Sequence, residues 1–230
     1  MSKRVAIVQS SYVPWKGFFD LVARVDELVL FDDVQYTRRD WRNRNRIKTR
    51  HGVRWLTIPV RVRGRYHQRI DEVELSDPAW AARHWDVLRQ AYASAPCWSA
   101  VAGELQRLYE TAPGDRLAAV NEHFLRALCR MLGIRTAISL SDGIGLGDGR
   151  TERLVTLCRH VGATTYVSGP TAAAYLDEAP FAAAGIEVEW MSYGPYPEYP
   201  QLHGPFEHHV SVLDVLVHTG ERAAEHVRGA

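Results

Sequence analysis

Residues 5–33 read VAIVQSSYVPWKGFFDLVARVDELVLFDD. Val5 to Val8 is a short apolar run that predicts a buried strand ending at Gln9. Ser10 to Gly17 reads as a loop. Phe18, Leu21, Val22 and Val25 share one side of a helix over 18–25. Leu28 to Phe31 predicts a second strand, running straight into Asp32-Asp33. Strand, loop, helix and strand in this order open an α/β sheet of parallel type. The loops Gln9 to Gly17 and Asp32 to Arg50 then lie at the C-terminal ends of the strands, where such folds bind ligands.

Working outward, WLTIPV (55–60) predicts a third strand, and Arg61 to Tyr66 a hairpin or lid with Gly64 at its tip. Helices are expected over 78–95 and 100–111, separated by Ala95-Pro96. Asp115 is placed to cap a third, over 116–132, which Gly133 ends. Strands follow at 135–140, 165–167 and 186–190. Thr151 is placed to cap a helix to Val161, Pro170 to Leu176 reads as a helix start, and Ser211 is placed to cap a final amphipathic helix. Residues 141–149 (SDGIGLGDG) predict a mobile loop, and the four prolines of 193–207 an irregular segment. With 230 residues and 46% hydrophobic content, one sizeable core is affordable. The expectation is a single α/β domain over 1–230: a mostly parallel, Rossmann-like sheet with a helical insertion at about 78–132.

Charge is balanced, 28 basic against 27 acidic residues, so any polyanion-binding surface must be local. Three cysteines without paired spacing argue against a disulfide framework or a structural zinc site. Neither a signal-peptide stretch nor a membrane-length apolar run occurs. A cytoplasmic protein without membrane insertion is expected.

The most unusual stretch is QYTRRDWRNRNRIKTR (35–50), in which seven of sixteen residues are Arg or Lys. As a strand it places Arg42, Arg44, Arg46, Lys48 and Arg50 on one face, with Asn43, Asn45 and Ile47 on the other. Converging guanidiniums interleaved with amides suit a small anionic ligand. A charged edge strand and a nucleic-acid surface with Tyr36 and Trp41 as stacking platforms are the alternatives. Asp32 or Asp33 can bind a hydroxyl, hold a divalent ion or act as a general base; a turn or cap role is the bland reading. The loop from Gln9 lacks GxGxxG and GK[ST], and Trp15 beside Pro14 forms a ligand wall or a plug. Cys129 and Cys158 fall on apolar helix stripes and read as core. GxSxG, HExxH and CxxC are absent, and neither a metal nor a cofactor is expected. Ser168-Gly169-Pro170, running on to Tyr175, offers backbone N–H groups to an anion or serves as an ordinary turn.

Taken in order, VQSSYVPWKGFFDL, FDDVQYTRRDWRNRNRIKT, WLTIPV, RTERLVTLCRHVGATTYVSGP, GIEVEW and YPEYPQLHGPFEHHVSVLDVL resemble the WbqC-like family over roughly residues 4 to 220. The resemblance implies a bacterial cytoplasmic protein of O-antigen or other surface-polysaccharide biosynthesis, in a family described as glycine or aminoacyl transferases acting on amino sugars. The N-terminal layout is also similar to the nucleotidyltransferase-like fold. Trp15-Lys16-Gly17-Phe18 stands where that fold's HxGH element belongs, which puts adenylylation in doubt.

On this basis the expected substrate is a nucleotide-activated amino sugar, and the expected reaction is acyl, glycyl or other aminoacyl transfer from an activated donor on a carrier protein or tRNA. Asp32 or Asp33 would take the proton, and Arg42, Arg44, Arg46 and Lys48 would meet the anion. Gln9, Gln35, Asn43 and Asn45 would fix hydroxyls. Tyr12, Trp15, Tyr36 and Trp41 would line the site, and N–H groups after Ser168-Gly169 would hold an oxyanion. A non-catalytic binder of an activated sugar, or a tRNA-binding protein, is the alternative.

Overall fold

The computed structural model describes residues 2–229 apart from Leu146 and Asp148. The chain opens with strand β1 (Arg4–Val8), helix α1 (Lys16–Ala23) and strand β2 (Glu27–Leu30). Strands β3 (Arg44–Thr49) and β4 (Gly52–Thr57) form a hairpin. Helices α2 (Trp80–Tyr92), α3 (Trp98–Glu110) and α4 (Leu117–Met131) follow, within the stretch expected to be helical. Next come β5 (Ala137–Leu140), α5 (Arg150–His160), β6 (Thr165–Ser168), α6 (Ala179–Ala183) and β7 (Glu187–Trp190). Helices α7 (Val212–Thr219) and α8 (Ala223–Val227) close the chain.

Five strands form one parallel sheet in the order β5-β2-β1-β6-β7. This is the Rossmann-like α/β architecture expected from the sequence. Side chains alternate across it, as the two-residue period of a strand requires. Val5, Ile7, Val29 and Tyr166 pack in one cluster with Val155, Leu157 and Cys158 of α5 and Phe181 of α6. Ala6, Leu28, Leu30 and Val167 belong to the larger cluster, with Phe19 and Val22 of α1, Phe124 of α4 and Leu213 and Leu216 of α7. The strand order reverses between β1 and β6. In an open α/β sheet a crevice opens at that point, beyond the strands' C-terminal ends.

The basic stretch and WLTIPV together make the hairpin. Asn45 pairs with Leu56 and Arg46 with Trp55, around a turn at Arg50-His51. The expected strand over 55–60 thus starts at Gly52 and ends at Thr57, short of Pro59, which has no N–H for a ladder. Residues 61–66 form turns rather than a hairpin ladder. The N-cap of α5 is Gly149, with Thr151 already helical, and that of α4 is Arg116 rather than Asp115. Ser211 caps α7 as expected, accepting from the Leu213 N–H at 3.3 Å. The mobility expected for 141–149 falls partly on Leu146 and Asp148, outside the described residues.

The loop after β1 is tied from several directions. Asn45 Nδ2 donates to Tyr12 O (3.1 Å) and Val13 O (3.0 Å). Ser211 Oγ donates to Val13 O at 2.7 Å, and Val212 N–H to Pro14 O at 2.8 Å. Val13 is held at φ 37°, a left-handed conformation that a β-branched residue adopts only when its surroundings enforce it. Asn45→Ala leaves the buried Tyr12 carbonyl unpaired and loosens the strained residue beside it. An unpaired buried acceptor costs about 1–3 kcal/mol, so urea unfolding should show a loss of roughly 2–3 kcal/mol. A loss below about 0.5 kcal/mol, the size of an ordinary surface substitution, would mean that Asn45 does not hold the loop.

Candidate functional site

The crevice at the strand-order reversal is a cleft of about 750 Å³. Gln9 lines it from the end of β1, Phe31 and Gln35 from beyond β2, and Ser168 and Gly169 from the end of β6. Arg150 and Arg153 reach it from the first turn of α5. Four residues singled out in the sequence therefore meet here: Gln9, Gln35, Ser168 and Gly169.

The two arginines give the cleft its charge. A helix N-terminus carries partial positive charge and disfavours cations, so two guanidiniums against the one carboxylate of that turn, Glu152, call for a further anion. Arg153 has one: its Nη2 donates to Asp33 Oδ2 at 2.8 Å, and the guanidinium lies 4.7 Å from the Phe31 ring centre. Arg150 stacks over Tyr175 at 5.3 Å and has no carboxylate within ion-pair distance among the described residues. Sequence reading missed both arginines, because RTER at the start of a helix looks like solvated surface. The signal was its position, directly after a Gly-rich loop that follows a strand.

Asp32 and Asp33 do not line this cleft. Both open onto a smaller one of about 290 Å³ beside Arg116 and Ser141. Asp33 also accepts from Ser141 Oγ at 2.6 Å, so its two oxygens are committed. Asp32 is buried and accepts from the Ser10 N–H at 2.8 Å. Burial pushes its carboxyl up, and the hydrogen bonds from Ser10 and the charge of Arg42 oppose that only in part.

The basic stretch divides. Trp15, Trp41, Arg42, Asn45 and Arg46 border a third, separate slot. Arg44 lies over the Trp55 ring at 4.1 Å. Lys48 is buried, and its Nζ donates to Gln201 Oε1 at 2.7 Å and to the Gly204 and Pro205 carbonyls. Asn43 donates to Ile58 O at 2.8 Å. Tyr12 is fully buried, its hydroxyl bonded to His84 Nδ1 (2.9 Å) and Tyr109 OH (2.7 Å). Tyr36 is buried too, and its backbone N–H donates to Gln68 O at 2.9 Å. Cys129 and Cys158 sit in the core, and burial pushes both thiols up to about 12. No group of His, Cys, Asp and Glu suited to a metal ion occurs among the described residues.

Residues 9–226 match the family model described as the WbqC-like protein family. The chain belongs to that family. A relative from Mycobacterium tuberculosis, "Uncharacterized protein Rv1507c", is 47% identical over 226 residues, covering 98% of each chain. No solved structure matches. In this WbqC-like protein no helix among the described residues is long and apolar enough to cross a membrane.

Among the buried charges of the described residues, Lys16 stands out for having no polar partner. Lys16 is 1% exposed, its Nζ has no hydrogen-bond partner among the described residues, and it sits 5.1–5.6 Å from the ring centres of Tyr196, Tyr199 and Phe206. Burial lowers its pKa to about 8, against the opposing charges of Asp214 and Glu198. Unfolded, the same amine keeps its proton to about pH 10.4. Between those values unfolding takes up a proton, so stability rises with pH. Lys16→Met should therefore be the more stable protein at pH 7, by on the order of 2–3 kcal/mol. The gap should narrow as pH rises from 8 towards 10. Urea midpoints at pH 7 and 10 test this, and a gap that widens with pH would refute it.

Proposed function

We propose that this WbqC-like protein binds a nucleotide-activated amino sugar in the cleft between β1 and β6 and transfers an activated acyl or aminoacyl group to the sugar amine. The supporting observation is the pairing of Arg150 and Arg153 in the first turn of α5, beside a cleft of about 750 Å³ at the strand-order reversal. That volume suits a ligand larger than a single ring. The guanidinium pair suits a diphosphate. Gln9, Gln35 and Ser168 suit sugar hydroxyls, and Phe31 and Tyr175 offer aromatic faces.

In the reaction, the amine nitrogen bonds to the acyl carbon, and the bond from that carbon to its leaving group breaks. The amine's proton passes to the departing group. The Thr171 N–H, the first after Pro170, would face the transient oxyanion. Asp33 serves as a positioning residue for Arg153. The polysaccharide setting, the cytoplasmic location and a donor on a carrier protein or tRNA belong to the same proposal. A second reading, a binding protein that delivers the activated sugar, is favoured by one observation: neither Asp32 nor Asp33 lines the cleft.

Calorimetry with UDP- and dTDP-sugars, with and without a free amine, tests the binding. One amino-sugar nucleotide should bind selectively, and Arg150→Ala should weaken it about tenfold to a hundredfold, the worth of one charge-assisted contact. Mass spectrometry after adding an acyl thioester or aminoacyl-tRNA then separates the readings. An amide product supports transfer, and binding without product leaves delivery. Affinity only for RNA, with steep salt dependence, would overturn both.

A further inference from the structure

The loop after β1 gives Gln9 to the cleft at the strand-order reversal, the switch cleft, and Ser11, Pro14 and Trp15 to a separate slot of about 240 Å³. Trp15, Phe18 and Trp41 form its apolar walls, and Arg42 and Arg46 its polar side. The His209 ring stacks on Trp15 at 5.7 Å and completes the rim.

The arginines have only weak partners: Asp40 for Arg42, and for Arg46 the Trp41 and Trp55 rings, each centred 5.8 Å away. The Arg42 side chain is 13% exposed, and its closest ion-pair contact is Nε to Asp40 Oδ2 at 3.8 Å, beyond hydrogen-bond reach. Arg46 has no carboxylate within 4.0 Å among the described residues. The Nε groups of both are buried and make no hydrogen bond among the described residues. Arg42, largely buried, is unfavourable in this state unless a better-placed anion completes it, and Arg46 lies half-buried beside it. A planar oxyanion that takes Nε and one Nη side by side is the geometry arginine satisfies best.

Size narrows the class. A dry cavity of about 150 Å³ holds one benzene ring. The slot's 240 Å³ has room for a ring and one acidic group, and is about a third of the switch cleft's 750 Å³. We propose that the slot is a second, independent binding site for a small aromatic acid, its carboxylate or phosphate on Arg42 and Arg46 and its ring against Trp15 and Trp41. The site stands whether or not the switch cleft takes a nucleotide sugar.

Saturation-transfer NMR and calorimetry on the full chain test it, with benzoate, phenyl phosphate and the neutral isostere benzamide at millimolar concentration. Benzoate or phenyl phosphate should bind, and comparison of the two identifies the acidic group. Benzamide should bind at least tenfold more weakly. Arg46→Met should weaken the acid at least tenfold. Arg46→Lys, which keeps the stem and the charge but not the fork, should weaken it too, at an unchanged melting temperature. Arg150→Ala, in the other cleft, should leave this binding unaltered. Benzamide binding equal to benzoate, undiminished binding in Arg46→Met, loss of binding in Arg150→Ala, or no transfer to any probe would overturn the proposal.

Discussion

Three carbonyl oxygens, those of Tyr12, Val13 and Pro14, fix the C-terminal edge of the sheet. Each is met by a group from a distant part of the chain: Asn45 from the hairpin, Ser211 and the Val212 N–H from the start of α7. The Tyr12 hydroxyl extends the same knot to α2 and α3 through His84 and Tyr109. A buried loop must satisfy its backbone somehow, and here it does so by joining the hairpin to the start of α7. Val13 could not persist at φ 37° without them. The walls of the switch cleft and of the arginine slot therefore share one rigid support, as a preorganised site requires.

A second polar knot fixes the proline-rich segment, which has no ladder of its own. Asp214, fully buried, accepts from Tyr199 OH (2.7 Å), Gln201 Nε2 (2.7 Å) and Tyr92 OH (2.9 Å). Burial would push its carboxyl up, but His218 and these donors outweigh that and hold it below the usual carboxylate range. Tyr92 OH also accepts from the Lys48 N–H, and Lys48 Nζ reaches the segment directly. Every member supports another, the condition under which a buried polar network specifies a structure.

The centre of the sheet was legible because β1 and β2 are short, mostly apolar runs, and burial on both faces leaves that signature. The hairpin was hidden. In β3 only Ile47 is both apolar and buried, and its neighbours read as ligand contacts. Asn43 and Asn45 lie on the inner face, as the alternation indicated, but they serve backbone carbonyls. Sequence spacing gives the face of a strand and not the partner across it. Gln9, Ser168 and Gly169 were legible as residues lining the cleft because they end strands. Arg150 and Arg153 were not, since only the assembled sheet brings the first turn of α5 beside β1.

The dense basic stretch is therefore several features with different energetics. Stacking an arginine on an exposed ring is worth about 0.5–1 kcal/mol, and it accounts for Arg44, which has Trp55 beneath it and the Arg39 carbonyl at its tip. Lys48 is spent inside the fold. Among the described residues Arg42 has no ring contact of that kind, and its carboxylate contact, Asp40 at 3.8 Å, lies beyond hydrogen-bond reach. Burial disfavours the charge on Arg42 and lowers its pKa, and the charges of Asp40 and Asp32 oppose that only in part. Under the slot proposal, Arg42 and its neighbour Arg46, not the number of cations around them, would be where this stretch meets a ligand.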